Sequence, residues 1–421
     1  MFKKTITSDF FTTINFNLFL QSILWLTFYL PKLRFWNNIS QFELSLKSYL
    51  WLEKSEIISF YNWRSALFNA LKIIWIRKTD EVIINAYNCV TVSNVIIQSW
   101  VKVIYSDINK ANYWFDIEKL EKSITKNTKV IIVQHTFWKD SNIKKIIKIA
   151  KKYNILVIED CAHSLWSKKD KKHLWTFWDF SFFSTWRDKV ISSVTGWFLF
   201  INNPVFFNKI PSIKKTLINP SRYLVIKNLM YNLVAFKSYK LYDFMWFWKI
   251  IIHLSRKLWL ITEILTKSEK ECNYRNFNLT FPNSLAKIAI WELKKIKLYN
   301  NHRRWLADYY NKLIKNPLIK IWFTKLKTEK NNYFRFPILL KDSSKLEDFY
   351  TYMKKNKILL WKTWSISPIA PYWTDLKTAK FNIIENPIAI DISSKLLFLP
   401  NHSNVNLYDV EKIVKLINNY K

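Results

Sequence analysis

Residues 155–160 read ILVIED, a short apolar run that ends in two carboxylates. Apolar runs of this length are typical of strands that are buried on both faces of a parallel sheet. Similar runs continue outward along the chain and alternate with segments of helical periodicity, among them EVIINAY from Glu81 and KVIIVQH from Lys129. This alternation predicts βαβ units, and therefore an α/β fold built on a mostly parallel sheet.

The chain of 421 residues is longer than a domain with a single hydrophobic core usually is, so the sequence predicts more than one domain. We expect an N-terminal segment over residues 1–50, a large domain over 51–300 and a smaller C-terminal α+β domain over 301–421. A helical insertion over about residues 211–266 interrupts the large domain. Within that domain, residues 94–99 are predicted to be helical, and a long amphipathic helix is predicted after Pro282.

The chain carries 66 Lys and Arg against 31 Asp and Glu, which gives a formal net charge of +35. These basic residues are spread over every predicted element, which argues against a nucleic-acid binding surface. A basic surface still attracts anionic substrates and membrane headgroups. Cys89, Cys161 and Cys272 show neither the spacing of a zinc site nor the even count of a disulfide framework. We therefore expect a cytoplasmic protein without a metal site.

Two apolar stretches leave the relation to membranes open. Residues 10–30 contain no charged residue and follow two lysines, as a signal or membrane anchor does. Several polar residues within this stretch favour a buried or surface-lying helix instead. The predicted insertion is apolar, aromatic and basic, which suits either an extra helical element packed on the protein or docking on a membrane surface or lipid-linked substrate.

The most unusual feature of the composition is one glycine against 22 tryptophans. A chain of this length has about 30 glycines at the usual frequency. Turns, helix ends and close backbone approaches need a residue without a Cβ, as at Trp63, Trp166 and Trp197, and tryptophan is the worst substitute. We therefore hypothesise that UGA codons, written here as tryptophan, are read as glycine in the living cell. The alternative is a genuinely tryptophan-rich protein, and Trp364 is a candidate for a true tryptophan.

Two clusters of polar residues follow strands of the predicted sheet. Asp160 ends ILVIED, and ligands of open α/β sheets gather at the carboxyl ends of strands. From the residues alone, Asp160 is equally well a cofactor-binding acid or a helix cap. The second cluster is FSFFSTWRDKVISSVTGW, over residues 180–197. In it, Lys189 lies five residues after Ser184 and seven before Gly196. A single lysine beside a strand is usually solvated, so the significance of Lys189 depends on this serine-rich turn.

Six motifs in order resemble those of one enzyme family. They are YNWRSAL (61–67), DEVIINAYNCVTV (80–92), VQHTFWKD (133–140), VIEDCAHSLWS (157–167), FSFFSTWRDKVISSVTGW (180–197) and LPNH (399–402). By these motifs the chain resembles the DegT/DnrJ/EryC1/StrS aminotransferases, which carry pyridoxal phosphate and aminate keto sugars attached to nucleotides. The resemblance covers most of the chain from about residue 51. It implies a pyridoxal 5'-phosphate cofactor and the pyridoxal-phosphate-dependent transferase fold type I.

The resemblance also implies roles for three residues of the two clusters. Lys189 forms the Schiff base with the cofactor and afterwards moves a proton between the substrate carbon and the cofactor. Asp160 pairs with the pyridine nitrogen, which makes the ring an electron sink. His163, three residues later, lies near the phenolic oxygen of the cofactor, with a satisfied buried histidine as the alternative.

By the same resemblance, the cofactor phosphate is bound by Ser184 and by the start of a helix at Arg64 and Ser65. Backbone N–H groups and the helix dipole favour an anion at such a position. The residue that packs on the cofactor ring is commonly aromatic in the family. Here that position falls at Cys89, with Tyr87 as the alternative.

The resemblance implies a homodimer, in which Asn273 or Asn278 of one subunit reaches the phosphate bound by the other. It further implies that glutamate donates the amino group and that a nucleotide-linked keto sugar accepts it, for surface polysaccharide or glycan biosynthesis. A dehydratase of the same fold is one alternative, because some relatives replace the lysine, but Lys189 argues against it. Another is a non-catalytic, membrane-surface component of polysaccharide assembly, and both Lys189 and Asp160 argue against that.

Overall fold

The computed structural model describes residues 4–8, 12–33, 37–111, 114–138, 141–169, 172–174, 178–244, 247–263, 271–274, 276–322 and 331–421. Its strands are β1 (Ile6–Thr7), β2 (Glu56–Phe60), β3 (Glu81–Asn85), β4 (Asn88–Cys89), β5 (Lys102–Ser106), β6 (Thr128–Gln134), β7 (Leu156–Asp160), β8 (Lys168–Lys169), β9 (Lys172–His173), β10 (Phe180–Ser184), β11 (Trp197–Ile201), β12 (Ile319–Ile321), β13 (Phe336–Leu340), β14 (Ile358–Leu359), β15 (Ile369–Ala370) and β16 (Leu396–Leu399). Its helices are α1 (Phe16–Thr27), α2 (Asn38–Leu50), α3 (Trp63–Ile74), α4 (Val90–Gln98), α5 (Ile117–Lys122), α6 (Ile143–Lys152), α7 (Ile210–Thr216), α8 (Arg222–Lys240), α9 (Phe247–Lys257), α10 (Asn283–Leu313), α11 (Leu346–Lys355), α12 (Pro387–Ser393) and α13 (Leu407–Asn419). Short 3-10 helical turns cover Leu30–Lys32, Thr136–Trp138, Pro204–Lys209 and Ser343–Lys345.

The large sheet contains the strands that the apolar runs predict. Within the described residues it has seven strands in the order β2-β11-β10-β7-β6-β3-β5. The strands from β10 to β5 run parallel, while β11 is antiparallel to both of its neighbours. ILVIED supplies β7, the central strand. The prediction of an α/β fold with a mostly parallel sheet is confirmed.

Both faces of this sheet are covered, which explains the uninterrupted apolar runs. Ile132 and Ile158 belong to the hydrophobic cluster that includes α3 and α4. Their chain neighbours Ile131 and Val157 pack against α5 and α6 on the opposite face. Successive side chains of a strand point to opposite faces, so a strand with helices on both sides needs apolar residues at consecutive positions.

A smaller antiparallel sheet, in the order β12-β13-β16, lies beyond the long helix α10. The helix contains 31 residues, which corresponds to about 46 Å. Its first half packs in the hydrophobic cluster of Phe198 from β11, and Tyr310 near its end contacts Phe336 of β13 with ring centroids 4.9 Å apart. The long helix predicted after Pro282 is therefore present, and it connects the two sheets. Residue 300 lies within it, and the domain boundaries stay predictions.

Two short parallel strand pairs join distant parts of the chain. In one, Ile6 of β1 lies opposite Ile358 of β14, and in the other Cys89 of β4 lies opposite Ala370 of β15. The N-terminal segment and the chain after β3 are thereby held against the C-terminal part. Neither pair is predictable from the sequence pattern, because a two-residue strand shows no periodicity.

The two apolar stretches form helices on the outside of the large domain. Helix α1 occupies part of the stretch over residues 10–30, of which residues 10 and 11 lie outside the described residues. The insertion forms α7, α8 and α9, while residues 245–246 and 264–270 lie outside the described residues. Among the helices described, none has the length and apolar character needed to cross a membrane.

Five tryptophans within the described residues have a left-handed backbone conformation that strongly favours glycine. They are Trp51, Trp75, Trp100, Trp166 and Trp259, with φ between 55° and 75°. Trp51 and Trp75 are the C-cap residues of α2 and α3, and glycine is the usual residue where a helix ends in this conformation. Their side chains are 69% and 73% exposed, so packing offsets little of the strain. The geometry supports the glycine hypothesis, which stays a prediction.

The turn after Lys189 depends on the one glycine in the sequence. Gly196 has φ of +127°, and a Cβ at this position would lie 2.5 Å from the hydroxyl oxygen of Thr185 and 2.7 Å from the ring of Phe281. No larger residue fits without displacing these neighbours. Gly196 therefore fixes the path of the chain between β10 and β11, which carries Lys189.

Candidate active site

A cavity of about 1350 Å³, including its open mouth, lies at the carboxyl ends of β6 and β7. Gln134 ends β6, Asp160 ends β7, and the two residues lie opposite each other in the sheet. The start of α3, the loop between β10 and β11 and the chain around β15 form the other walls. Open α/β sheets bind ligands at this edge.

Asp160 is a buried acid on the floor of this cavity. Burial raises the pKa of its carboxyl to about 6, while the N–H of Ala162, which donates to Oδ1 at 3.0 Å, and the positive charge of Lys189 act in the opposite direction. The carboxylate has thus lost much of its hydration and is only partly compensated. A cationic group placed beside it would be strongly held.

Lys189 lies in the loop between β10 and β11 and lines the same cavity. Its amino group is 6.0 Å from the centroid of the Trp197 ring and 5.8 Å from that of Phe334. The loop is closed by a hydrogen bond of 2.7 Å between the hydroxyls of Thr185 and Ser193. The serine-rich turn therefore holds its own backbone in place and presents the lysine to the cavity.

His163 also lines the cavity, and its ring is packed among aromatic side chains. The ring is stacked between Phe137 and Phe334, with centroids 5.8 and 5.0 Å away, and Trp364 contacts it edge-on at 5.2 Å. Burial lowers its pKa well below the usual value, and the charge of Lys189 acts in the same direction. The imidazole is therefore neutral near pH 7, and its predicted place beside the phenolic oxygen of a cofactor stays a prediction.

The structure distinguishes between the two candidates for the ring-packing position. Cys89 lines the cavity and accepts a hydrogen bond of 3.2 Å from the hydroxyl of Thr91, and burial raises the pKa of its thiol. Tyr87 is fully buried, is not among the described lining residues, and donates its hydroxyl to the carbonyl oxygen of Trp364. Cys89 is therefore the one of the two that faces the cavity.

Of the three predicted phosphate-binding residues, Arg64 lines the cavity, whereas Ser65 and Ser184 are not among its described lining residues. Arg64 lines the cavity together with Asn62 and Trp63, so the start of α3 does face it. Ser65 donates both its N–H, at 2.9 Å, and its hydroxyl, at 3.1 Å, to the side-chain oxygen of Asn62, which caps the helix. Ser184 accepts the N–H of Trp186 at 3.1 Å. Neither serine is among the described residues that line the cavity, and their contact with a phosphate stays a prediction.

Several residues near the cavity were not predicted. Gln134 was identifiable, since it ends a predicted strand beside Asp160. Next to Gln134, the imidazole of His135 lies 2.9 Å from the carboxylate of Glu159, and both side chains are fully buried. This contact ties the ends of β6 and β7 together. The side-chain N, O and S atoms of His135, Glu159 and Cys161 that could bind a metal ion lie within 4.8 Å of one another. The spacing of the cysteines in the sequence does not predict this cluster.

Arg335 is a further residue that the sequence did not indicate. Its guanidinium lies 3.2 Å from the carboxylate of Asp188 and is stacked on the ring of Trp361, 3.9 Å from the centroid. It also donates to the carbonyl oxygen of Ser8 at 2.8 Å. The residue therefore connects the N-terminal segment and the C-terminal part of the chain to the residue directly before Lys189.

The model of the DegT/DnrJ/EryC1/StrS aminotransferase family matches residues 32–237 and 262–418. The chain belongs to this family. Lys189 and Asp160 of the aminotransferase, with every described lining residue of the cavity except Thr12, lie within the matched residues. This confirms the resemblance found in the motifs and, with it, a pyridoxal-phosphate-dependent aminotransferase.

Three similar proteins illustrate the family. The aminotransferase is 22% identical to GDP-perosamine synthase of Escherichia coli O157:H7, over 91% of this chain and 90% of that one. It is 26% identical to dTDP-4-amino-4,6-dideoxy-D-glucose transaminase of Escherichia coli, over 89% and 88%. In fold it matches the Helicobacter pylori aminotransferase involved in the biosynthesis of pseudoaminic acid, with a TM-score of 0.74 at 18% identity over 99% and 98% of the chains. Fold type I is thereby confirmed.

The polar residues of the cavity fit pyridoxal phosphate, whereas two of its tryptophans do not. Asp160 would hold the pyridine nitrogen with a buried carboxylate, and Lys189 would supply an amine from the same cavity. Trp63 and Trp197 also line the cavity, with ring centroids 6.0 Å apart, and the second lies against the lysine. Trp166, the third position named above where glycine is expected, is not among the described lining residues, and its ring packs on Tyr49 with centroids 4.6 Å apart.

The raised pKa of Asp160 makes cofactor binding dependent on pH. Above about pH 6 the carboxylate is charged and would pair with a protonated pyridine nitrogen, whereas below about pH 6 the acid is neutral. We expect the affinity of the aminotransferase for its cofactor to fall by about tenfold per pH unit below that point. Equilibrium binding, followed by the absorbance of the cofactor from pH 5 to 8, measures this dependence.

The variant Asp160→Asn is the matched control for this prediction. It should bind the cofactor more weakly at pH 7.5 and lose the additional pH dependence. In the cofactor-free protein the folded pKa lies above the ordinary value of 3.8, so the charge at neutral pH opposes folding and protonation between about pH 6 and 4 favours it. The same substitution should therefore raise the melting temperature of the cofactor-free protein. Identical pH profiles for both proteins would contradict the role of Asp160.

Proposed function

We propose that the aminotransferase transfers the amino group of glutamate to a keto sugar carried by a nucleotide, as a homodimer in the cytoplasm. The proposal is supported by the named activities of the relatives that match about 90% of the chain, GDP-perosamine synthase and dTDP-4-amino-4,6-dideoxy-D-glucose transaminase. Both names describe enzymes that act on amino sugars linked to nucleotides. The product would serve surface polysaccharide or glycan biosynthesis.

The observation that carries the proposal is the combination of Lys189 and Asp160 with two arginines in one cavity. Arg64 at the start of α3 and Arg187 beside the lysine both line it. Guanidinium groups bind carboxylates and phosphates, which are the anionic groups of an amino-acid donor and of a nucleotide.

Lys189, Asp160 and the aromatic side chains around His163 each have a defined task in this function. When bound, pyridoxal phosphate supplies an electron sink that allows a proton to leave the carbon bearing the amino group. Lys189 accepts that proton on its amino nitrogen and returns one to the acceptor. Asp160 keeps the pyridine nitrogen protonated, and the aromatic walls around His163 exclude water.

The test is an assay of the purified protein with glutamate and a panel of UDP-, GDP- and dTDP-linked keto sugars. We expect 2-oxoglutarate and, from at least one of them, a product in which the carbonyl oxygen has been replaced by an amino group, identified by mass spectrometry. Glutamine in place of glutamate tests the donor. Turnover with free sugar phosphates alone would refute the nucleotide part of the proposal, and sedimentation analysis tests the dimer.

A further inference from the structure

Helix α1 exposes an apolar face to solvent. Phe16, Leu20, Leu24 and the C-cap residue Phe28 are 57%, 39%, 38% and 74% exposed. They follow each other at intervals of four residues, which places them on one side of the helix. The opposite side, with Leu18 and Trp25, is buried against the protein. The surface of a water-soluble protein seldom exposes such a continuous row of apolar side chains.

Helix α9 shows the same feature. Phe247, Ile250, Leu254 and Leu258 are 46%, 48%, 47% and 62% exposed, at intervals of three or four residues. Only Ser255 is buried among the described residues of the helix. The helix therefore rests on the protein along a narrow line and leaves most of its apolar sector open to solvent.

Helix α8 holds both of these helices in one layer. The amide of Asn232 donates to the hydroxyl of Ser22 in α1 at 3.0 Å, and Phe236 contacts Phe19 of α1 with ring centroids 4.8 Å apart. On the other side, Ile252 of α9 packs on the cluster that includes Ala235 of α8. The family model leaves residues 1–31 and 238–261 unmatched. Both apolar faces thus lie outside the residues that the family model matches.

The charge of this layer indicates what covers it. Helices α1, α8 and α9 contain no Asp or Glu, and α8 and α9 contain seven basic residues, namely Arg222, Lys227, Lys237, Lys240, Lys249, Arg256 and Lys257. Apolar faces bordered by lysine and arginine are typical of helices that lie at the surface of an anionic membrane. A second copy of this layer would bring positive charge against positive charge.

We propose that this helical layer docks the aminotransferase on an anionic lipid surface, with the apolar faces of α1 and α9 in the headgroup region. The eleven residues of α9 correspond to about 16 Å, roughly half the hydrocarbon thickness of a bilayer, so the contact lies at the surface. Tyr231 of α8 also lines the active-site cavity. Docking therefore brings the cavity close to the membrane at which lipid-linked glycans are assembled.

The test is co-sedimentation of the 421-residue protein with vesicles of equal parts phosphatidylglycerol and phosphatidylcholine, and with vesicles of phosphatidylcholine alone. We expect binding to the anionic vesicles that weakens as salt is raised. The double variant Ile250→Glu with Leu254→Glu should lower the bound fraction by at least about tenfold, because it places charge in the inserted face. Its visible cofactor absorption should remain unchanged, since neither residue lines the cavity.

A matched control separates docking from the general attraction of a basic protein. Ile383→Glu with Ile384→Glu makes the same change in net charge at two exposed apolar residues outside the layer and should bind like the unaltered protein. The neutral pair Ile250→Ser with Leu254→Ser should also lose binding. Equal loss in both glutamate variants, or no binding at all, would overturn the proposal. So would conversion of a dimer to monomers by the α9 variants, since the layer would then be a subunit contact.

Discussion

Replacing Lys189 with alanine is expected to lower kcat/KM for transamination by at least about a thousandfold. The variant should also lack the visible absorption band that the cofactor shows when it is joined to a lysine. No other lysine lines the cavity among the described residues, so no neighbouring amine replaces it. Absorption spectra of the purified protein with added cofactor, and steady-state rates with glutamate, measure both effects.

Two further variants separate the chemistry of Lys189 from its charge. Lys189→Arg keeps the positive charge near Asp160 but has no primary amine, and it should be as inactive as the alanine variant. Lys151→Ala changes an exposed lysine on α6 and should have no effect. A band and a rate that persist in Lys189→Ala would assign the cofactor to another lysine.

Replacing Trp63 and Trp197 with glycine is expected to raise the affinity for pyridoxal phosphate by roughly ten- to a hundredfold. The indole of Trp197 lies beside Lys189 and that of Trp63 lies beside Trp197, so both fill the part of the cavity in which the proposed cofactor would bind. Glycine at both positions opens this space and frees the backbone at the start of α3 for a phosphate. Titration of both proteins with the cofactor measures the change.

The same hypothesis predicts that glycine stabilises the protein at the left-handed tryptophans. Glycine at Trp51, Trp75 and Trp100 should each add about 1 kcal/mol to the free energy of unfolding, because the side chain no longer strains the backbone. Trp364→Gly is the contrasting variant: this residue is buried beside His163, and its loss should destabilise the protein.

Mass spectrometry of the protein from its own organism decides the question directly. Peptides with glycine at Trp51, Trp63 and Trp197, matched by UGA codons in the gene, would agree with the hypothesis. Tryptophan in those peptides would refute it.

The strands of the large sheet were predictable because burial on both faces demands long apolar runs, and β7, β10 and β11 each show one. The start of α4, in contrast, was not predictable from the sequence. Its first residue is Val90, four residues before the predicted start, and no side chain caps it. Valine and threonine in its first turn favour extended structure, so packing of Val92 and Val95 in the core decides in favour of helix there.

The candidate site likewise contains residues that were predictable from the sequence and residues that were not. Asp160, His163 and Lys189 were identifiable because their spacing lies within two continuous motifs. Arg335, which contacts Asp188 of the cavity wall, and the wall around β15 come from chain more than a hundred residues away, and only the folded chain brings them there. The choice between Cys89 and Tyr87 depends on which residue of a short bend faces inward, and no periodicity reveals that.

The pairing of β1 with β14 also affects how the protein is made. Ile6 leaves the ribosome about 350 residues before its partner Ile358, which corresponds to roughly half a minute of synthesis. The large sheet is complete with Ile201 and can fold in that interval, while the first strand waits without a partner. Strand β1 is therefore synthesised long before its partner and reaches its place late, and until then its edge is unpaired.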